Sequence, residues 1–131
     1  MIIDDQLGAK RDSVDDLVPY LRAFDEIEHD PNQLLVVAAV EDEPVGTLQL
    51  TIIPGMARKG ARRGQIEAVR VRSDHRGSGL GGRLVRWAVA ESRQRGCALV
   101  QLTSDVSRVN AHRFYERLGF VASHTGFKLA L

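Results

Sequence analysis

A glycine-rich segment between two regular elements is the part of this chain best suited to bind a charged ligand. It begins at His75 and holds four glycines within six residues, in the order Gly77, Ser78, Gly79, Leu80, Gly81 and Gly82. An apolar, strand-like run at 66–71 precedes it, and a helix-like run follows it. Glycine permits positive φ angles and has no Cβ to block a ligand. The first N–H groups of a helix can bind phosphate oxygens, so this segment predicts a site for a phosphate chain.

Two sequence templates describe the segment. Gly77, Gly79 and Gly82 satisfy the G-x-G-x-x-G pattern of dinucleotide-binding folds, and Asp105 follows the next strand, where an acid could meet a ribose. The context argues against that template, because the preceding strand is at least the third and the chain is too short for two mononucleotide-binding halves. An NAD-dependent oxidoreductase and a glycine-rich turn without a ligand stay as alternatives.

The second template is Arg76-x-x-Gly79-x-Gly81, followed about thirty residues later by the run NAHRFYERLGF at 110–120. Together these motifs resemble the GNAT superfamily of acyl-CoA N-acyltransferases. The resemblance covers residues 34–131 and implies a mixed α/β fold around one sheet. It implies that backbone N–H groups of the loop bind the pyrophosphate of coenzyme A, and that the preceding strand splays from its neighbour and aligns the pantetheine arm. The cofactor-binding residues it indicates are Val69, Val71, Arg76, Gly77, Ser78, Gly79, Leu80, Gly81, Gly82 and Asn110.

The resemblance also assigns catalytic roles. The Tyr115 hydroxyl would protonate the departing CoA thiolate, and Glu67 would accept the proton of an ammonium substrate, directly or through water. Each residue has a structural alternative: Tyr115 could be a packed core residue of its helix, and Glu67 could be a solvent-facing or salt-bridged strand residue. Asn110 opens the same helix as Tyr115 and is also predicted to be its N-cap.

Hydrophobic spacing predicts the elements that position these groups. A helix is expected over Ser13–His29, with Ser13 in a capping box, although Pro19 favours a start nearer Val18. A break in alternation after Ala68 indicates a bulge. Strands are expected at 34–40, 45–53, 65–72 and 98–103, a basic loop at 54–64, helices at 80–95 and 110–118, and a final hairpin of 120–122 with 127–131.

Composition and charge bound the remaining possibilities. The 131 residues suit a single domain, 1–131, and one cysteine excludes a disulfide framework. Residues 1–43 carry 12 acids and 3 bases, whereas 44–131 carry 5 acids and 15 bases. The positive part suits an anionic ligand. Nucleic acid is not expected as a partner because no aromatic residue interleaves with the basic loop. No apolar run reaches membrane-spanning length and no signal pattern is present, so a soluble cytoplasmic protein is expected. No spacing of His, Asp or Glu residues indicates a metal site, so no metal is expected.

The resemblance starts after the strand and first helix with which the superfamily usually begins, so this chain is expected to lack them. The exposed sheet edge would then favour a homodimer. The sequence therefore predicts an N-acetyltransferase that passes an acetyl group from acetyl-CoA to a primary amine of a small molecule or protein in a ternary complex. A non-catalytic acyl-CoA-binding or regulatory module is the alternative.

Overall fold

A four-stranded sheet forms the centre of the computed structural model, which describes residues 15–131. The strand order is β1-β2-β3-β4; the first two pairs are antiparallel, and β3 and β4 are parallel. This mixed α/β sheet confirms the predicted fold class. The bounds are α1 Val18–His29, β1 Gln33–Val40, β2 Glu43–Ile53, β3 Arg62–Val71, α2 Leu80–Gln94, β4 Cys97–Leu102 and α3 Val109–Arg117.

The core lies between α2 and one face of the sheet. Alternating residues of β2 point to this face, as the period of two in a strand requires. Gly64 of β3 lets the helix approach closely, because a Cβ there would collide with the Ser92 hydroxyl of α2. The buried apolar side chains are contributed by β2, β3 and α2 and are Val45, Leu48, Leu50, Ile52, Ile66, Leu80, Leu84, Val85 and Ala88.

The bulge in β3 occurs where the sequence predicts it. Gln49 of β2 faces Glu67, and Thr47 faces Arg70, so two residues of β3 lie opposite one residue of β2. Ala68 lies within this bulge with a φ of 50°, a conformation uncommon for a non-glycine residue. The bulge changes the alternation of β3 immediately before the glycine-rich loop.

The structure confirms one predicted boundary and moves another. α1 begins at Val18, with a proline in its first turn, and the Asp16 carboxylate accepts a hydrogen bond from the Val18 N–H at 3.0 Å. The later helix start favoured by Pro19 is therefore confirmed, whereas the predicted cap at Ser13 lies outside the described residues. β3 begins at Arg62 rather than Gln65, because its first residues pair with β4.

The predicted C-terminal hairpin is wrong. Residues 120–131 form no strand; the Ser123 N–H donates to the Val121 carbonyl at 2.9 Å in a tight local turn, and 120–122 do not pair with 127–131. The apolar alternation that suggested a strand is present, but Phe127 and Leu129 are 93% and 87% exposed. A strand needs a hydrogen-bonded neighbour, and residues 15–131 provide none for this segment.

Two further observations bear on the predicted organisation. The expected absence of an N-terminal strand and first helix concerns a part of the chain that includes residues 1–14, which the structure does not describe. From residue 15 onward, no helix is both long enough and apolar enough to cross a membrane.

Candidate active site

The loop before α2 is held in shape by local hydrogen bonds. The Arg72 guanidinium donates to both carboxylate oxygens of Asp74 at 2.8 and 3.0 Å, and this pairing lowers the pKa of the Asp74 carboxyl. The Ser78 hydroxyl donates to the His75 carbonyl at 2.6 Å. Gly77 and Gly79 have φ angles of 77° and 80°, which glycine adopts without strain. The loop thus reaches the helix through two glycines with positive φ angles.

The first turn of α2 offers backbone N–H groups to an anion. Its N-cap is Gly79, no side chain caps it, and the turn contains no acidic residue. The first N–H groups of a helix have no partner within the helix, and the helix dipole favours negative charge near them. A Cβ at Gly77 or Gly79 would meet no atom within 4 Å, so space is open on this side of the loop.

Gly81 and Leu80 face the protein interior rather than this open space. A Cβ at Gly81 would lie 3.5 Å from the Phe114 ring and 3.6 Å from a Val71 methyl, and the Leu80 side chain is buried in the core. A Cβ at Gly81 would thus make ordinary van der Waals contact with these side chains rather than project toward the open space. The backbone N–H of Gly81 belongs to the first turn of α2, and its contact with the pyrophosphate stays a prediction.

β3 and β4 separate directly before the loop. Their pairing ends at Ile66 and Leu102, whereas β3 continues to Val71. Residues 67–71 thus pair with β2 on one side and have no β4 partner on the other. This is the splay that the sequence resemblance implies, and it leaves this edge of β3 without a strand partner among residues 15–131.

Two carbonyl groups in the splayed part of β3 already accept hydrogen bonds. Arg70 Nη1 donates to the Val69 carbonyl at 3.0 Å, and Arg76 Nε donates to the Val71 carbonyl at 3.1 Å. The Arg76 side chain therefore folds back onto the strand. A ligand that uses these carbonyl groups must displace the arginine side chains or share the acceptors with them.

Tyr115 lies on α3 and packs against aromatic neighbours. Its ring centroid lies 5.0 Å from that of Phe114 and 6.0 Å from that of Phe120, both in edge-to-face geometry. Burial raises the pKa of the Tyr115 phenol above its usual range, and the positive charges of Arg108 and Arg70 oppose this shift without cancelling it. The phenol is therefore protonated at neutral pH and can donate a proton.

The structure also places the remaining two predicted side chains, those of Asn110 and Glu67. Asn110 is not the N-cap of α3, because the helix starts at Val109 and the cap position is Arg108. Asn110 lies exposed in the first turn, one residue after the helix start. Glu67 is also exposed and lies opposite Gln49 in the β2–β3 register, so the two side chains share one face of the sheet.

A cleft of about 370 Å³ lies on that face, between α1 and the sheet. Gln49 connects it to the strand that carries Glu67. Gln49 Nε2 donates to Gln33 Oε1 at 3.0 Å, and Thr51 Oγ1 donates to the same oxygen at 2.8 Å. The residues that line the cleft are Ala23, Glu26, Ile27, Asp30, Gln33 and Gln49.

Sequence reasoning missed Arg70 and Arg108 as neighbours of Tyr115. They come from β3 and from the residue before α3, and no local motif links them. Arg70 follows the bulge, so its side-chain direction depends on the break in alternation and could not be read from a regular strand.

The sequence predicts no metal site. Residues 15–131 contain no group of three or more His, Cys, Asp or Glu residues that could hold a metal ion.

The model of one protein family, described as Acetyltransferase (GNAT) family, matches residues 2–120. This chain belongs to the GNAT family of acetyltransferases. The family match covers the glycine-rich loop, the splayed strand and α3, and it agrees with the resemblance that the two sequence motifs indicated.

Individual relatives of the chain include enzymes with different acceptors. The aminoalkylphosphonate N-acetyltransferase of Salmonella typhimurium is 41% identical over 68 residues, which are 52% of this chain and 44% of that protein. The glucosamine 6-phosphate N-acetyltransferase of Trypanosoma brucei brucei is 39% identical over 87 residues, which are 66% of this chain and 57% of that protein. This chain therefore spans about half the length of these two relatives.

Solved structures share the fold over more of the chain. A protein described as a transcriptional regulator from Bacillus halodurans C-125 is 47% identical with a TM-score of 0.97, and the match covers 100% of this chain and 89% of that one. An acetyltransferase from Trypanosoma brucei is 32% identical with a TM-score of 0.74, covering 85% of this chain and 78% of that one. The fold of this chain is thus that of GNAT acetyltransferases.

Proposed function

We propose that this protein is an N-acetyltransferase that passes the acetyl group of acetyl-CoA directly to a primary amine. One observation carries the proposal: the separation of β3 from β4 after Ile66 lies directly before the uncapped first turn of α2. A splayed strand and an anion-binding helix start suit the two chemically different parts of one long ligand. The pantetheine arm would lie beside residues 67–71, and the pyrophosphate would accept hydrogen bonds from the loop and first turn.

The residues at the loop fit a pyrophosphate. Open space lies in front of Gly77 and Gly79, and no carboxylate in the first turn of α2 opposes an anion. Asp74 is the acid nearest in sequence, and Arg72 neutralises it through two hydrogen bonds. The site thus combines N–H donors with a favourable helix dipole, and both favour a negatively charged ligand.

The proposed reaction needs a base and an acid. Glu67 would accept a proton from the ammonium substrate, so that the neutral amine can attack the thioester carbonyl. The C–N bond forms and the C–S bond breaks, so the thiolate leaves, and the nitrogen releases its second proton to water. Tyr115 would return a proton to that sulfur, because its buried phenol, whose pKa burial raises, still carries its proton when the thiolate leaves. Arg70 and Arg108 would stabilise negative charge beside the phenol after transfer.

The acceptor would approach from the face that carries Glu67 and the cleft beside α1. Glu26 and Asp30 line this cleft, so it suits an amine that arrives with a positive charge. The names of two relatives describe small phosphonate- and phosphate-bearing amines as their acceptors. We therefore propose a small-molecule primary amine as the acceptor.

Turnover with acetyl-CoA and a panel of primary amines tests the proposal. Release of the CoA thiol is followed with a thiol-reactive dye, and the N-acetylated product is identified by mass spectrometry. Turnover that depends on the amine and is lost with Tyr115→Phe supports the assigned chemistry. Tight binding of acetyl-CoA without turnover on any amine would instead favour the non-catalytic acyl-CoA-binding module, and absence of CoA binding would contradict the site.

A further inference from the structure

The side-chain hydroxyl of Ser104 is buried without a hydrogen-bond partner. Its oxygen is covered from solvent, and no group among residues 15–131 forms a hydrogen bond with it. A hydroxyl that is removed from water without a new hydrogen bond destabilises a fold. Most buried polar side-chain atoms in proteins therefore have a partner, and an exception needs a physical reason.

The loop that contains Ser104 is fixed by hydrogen bonds in which this hydroxyl takes no part. Asp105 Oδ1 accepts hydrogen bonds from the N–H and the hydroxyl of Ser107 at 3.0 and 2.6 Å. The Asp105 carbonyl accepts the Arg108 N–H at 3.0 Å and lies 2.8 Å from His112 Nε2. These contacts connect the loop to the start of α3. The burial of the Ser104 hydroxyl is therefore not explained by a role in holding the loop.

Ser104 lies where β4 separates from β3. The last paired residues are Ile66 and Leu102, and Ser104 follows two residues later. Continuation of the same register would place Ser104 beside Ala68, the residue of the bulge. Ser104 also continues the spacing of two set by Val100 and Leu102, which pack against the core. The hydroxyl thus belongs to the β4 side of the gap between the two strands, close to the point where the gap closes.

We propose that the Ser104 hydroxyl donates a hydrogen bond to an amide carbonyl of the pantetheine arm of the bound donor. This inference rests on the proposed function, which places that arm beside residues 67–71. An arm in this position has β3 on one side and Ser104 on the other. Because the chain itself covers the hydroxyl, side chains at the gap must shift as the arm enters. Arg70 and Arg76, which donate to carbonyl groups of the splayed part of β3, are side chains that the arm would displace.

A hydroxyl that gains its partner from a ligand has a combination of effects that a structural hydroxyl lacks. In the protein alone, Ser104 contributes no hydrogen bond to the fold, so its removal should not destabilise the chain. In the complex, the same hydroxyl contributes to affinity. Loss of the hydroxyl should therefore weaken binding of the donor without lowering the stability of the protein alone.

Ser104→Ala and Ser107→Ala test this combination by urea unfolding and isothermal titration. We expect Ser104→Ala to unfold at the same or a higher urea concentration than the parent and to bind CoA about three- to tenfold more weakly, as for one neutral hydrogen bond. Its affinity for 3′-phospho-ADP, which is CoA without the pantetheine arm, should equal that of the parent. Ser107→Ala removes a hydroxyl that bonds to Asp105, so it should unfold at a lower urea concentration and bind both ligands like the parent.

The outcomes separate this inference from the proposed function. If the parent binds CoA and Ser104→Ala binds it equally well, the contact with Ser104 is refuted and the donor site stands. An equal loss of affinity for CoA and 3′-phospho-ADP would also refute the contact, because the substitution would then disturb the whole site. Unfolding of Ser104→Ala at a lower urea concentration would show that the hydroxyl has a partner within the chain and would overturn the inference. A parent that binds neither ligand would contradict the proposed donor site, and the role of Ser104 with it.

Discussion

Replacing Gly79 with alanine tests whether the loop binds the phosphates of the donor. Gly79 has a φ of 80°, and an added Cβ would meet no protein atom within 4 Å. The methyl group would therefore project into the open space in front of α2. An oxygen bound to a neighbouring N–H would lie about 3 Å from that nitrogen, so the methyl group competes for the same volume. We expect the Kd for CoA to rise at least about tenfold, which corresponds to about 1.4 kcal/mol of binding free energy.

The same substitution also strains the backbone, and a matched control measures that effect. A left-handed alanine costs about 1–2 kcal/mol of folding free energy. Gly96 has a φ of 75° and equally open space at its Cβ position, but it follows the other end of α2. A helix of 15 residues is about 22 Å long, so Gly96→Ala should lose similar stability while leaving CoA affinity unchanged.

Isothermal titration with CoA and urea unfolding of both variants provide the two quantities. The expected result is a comparable loss in the free energy of unfolding for Gly79→Ala and Gly96→Ala, with weaker CoA binding for Gly79→Ala alone. Equal CoA affinity of the two folded variants would refute the assignment of the loop as the pyrophosphate site.

Three further substitutions test the proposed chemistry and the packing below it. Tyr115→Phe should lower kcat about 10²–10⁴-fold with little change in the KM for acetyl-CoA; an unchanged kcat, where chemistry limits the rate, would make Tyr115 a packing residue. Because burial raises the folded-state pKa of Tyr115, its contribution to the free energy of unfolding is present at neutral pH and is lost as pH rises above about 10. In urea unfolding above that pH, the free energy of unfolding of Tyr115→Phe should therefore fall less steeply with pH than that of the parent. Glu67→Gln should depress the rate most at low pH and less as pH rises and more amine is neutral, whereas an unaltered pH–rate profile would assign the base role to another group. Gly64→Ala should destabilise the fold by about 1–3 kcal/mol through collision with the Ser92 hydroxyl, and pairing it with Ser92→Ala should recover part of that loss; strictly additive losses in urea unfolding would argue against this contact.

Several features of the site follow from short stretches of sequence. The 3–4 spacing of apolar residues predicts α2, and the glycines before it predict a loop with positive φ angles. The interrupted alternation at Ala68 predicts the bulge. These features depend on backbone preferences and side-chain periods within a few residues. A reader of the sequence can therefore recover the loop and the helix that together form the proposed anion site.

Other features depend on which distant residues meet. Gly81 faces Phe114 and Val71 because α3 and β3 approach α2 there. The proximity of Arg70 and Arg108 to Tyr115 also needs the folded arrangement of β3 and α3. No local period encodes these approaches, so the role of Gly81 and the charges around Tyr115 emerge only from the tertiary structure.

The segment Phe127–Leu131 separates the two kinds of information most clearly. Its alternating apolar residues predict a strand, and that pattern is a property of the sequence itself. Whether the strand forms a hairpin, joins its own sheet or leaves the domain depends on a hydrogen-bonding partner, which the pattern does not name. The structure decides this point, because residues 120–131 join no strand of the described chain and Phe127 and Leu129 are exposed. Side-chain period is local, whereas strand pairing requires backbone groups from another part of the fold or from another chain.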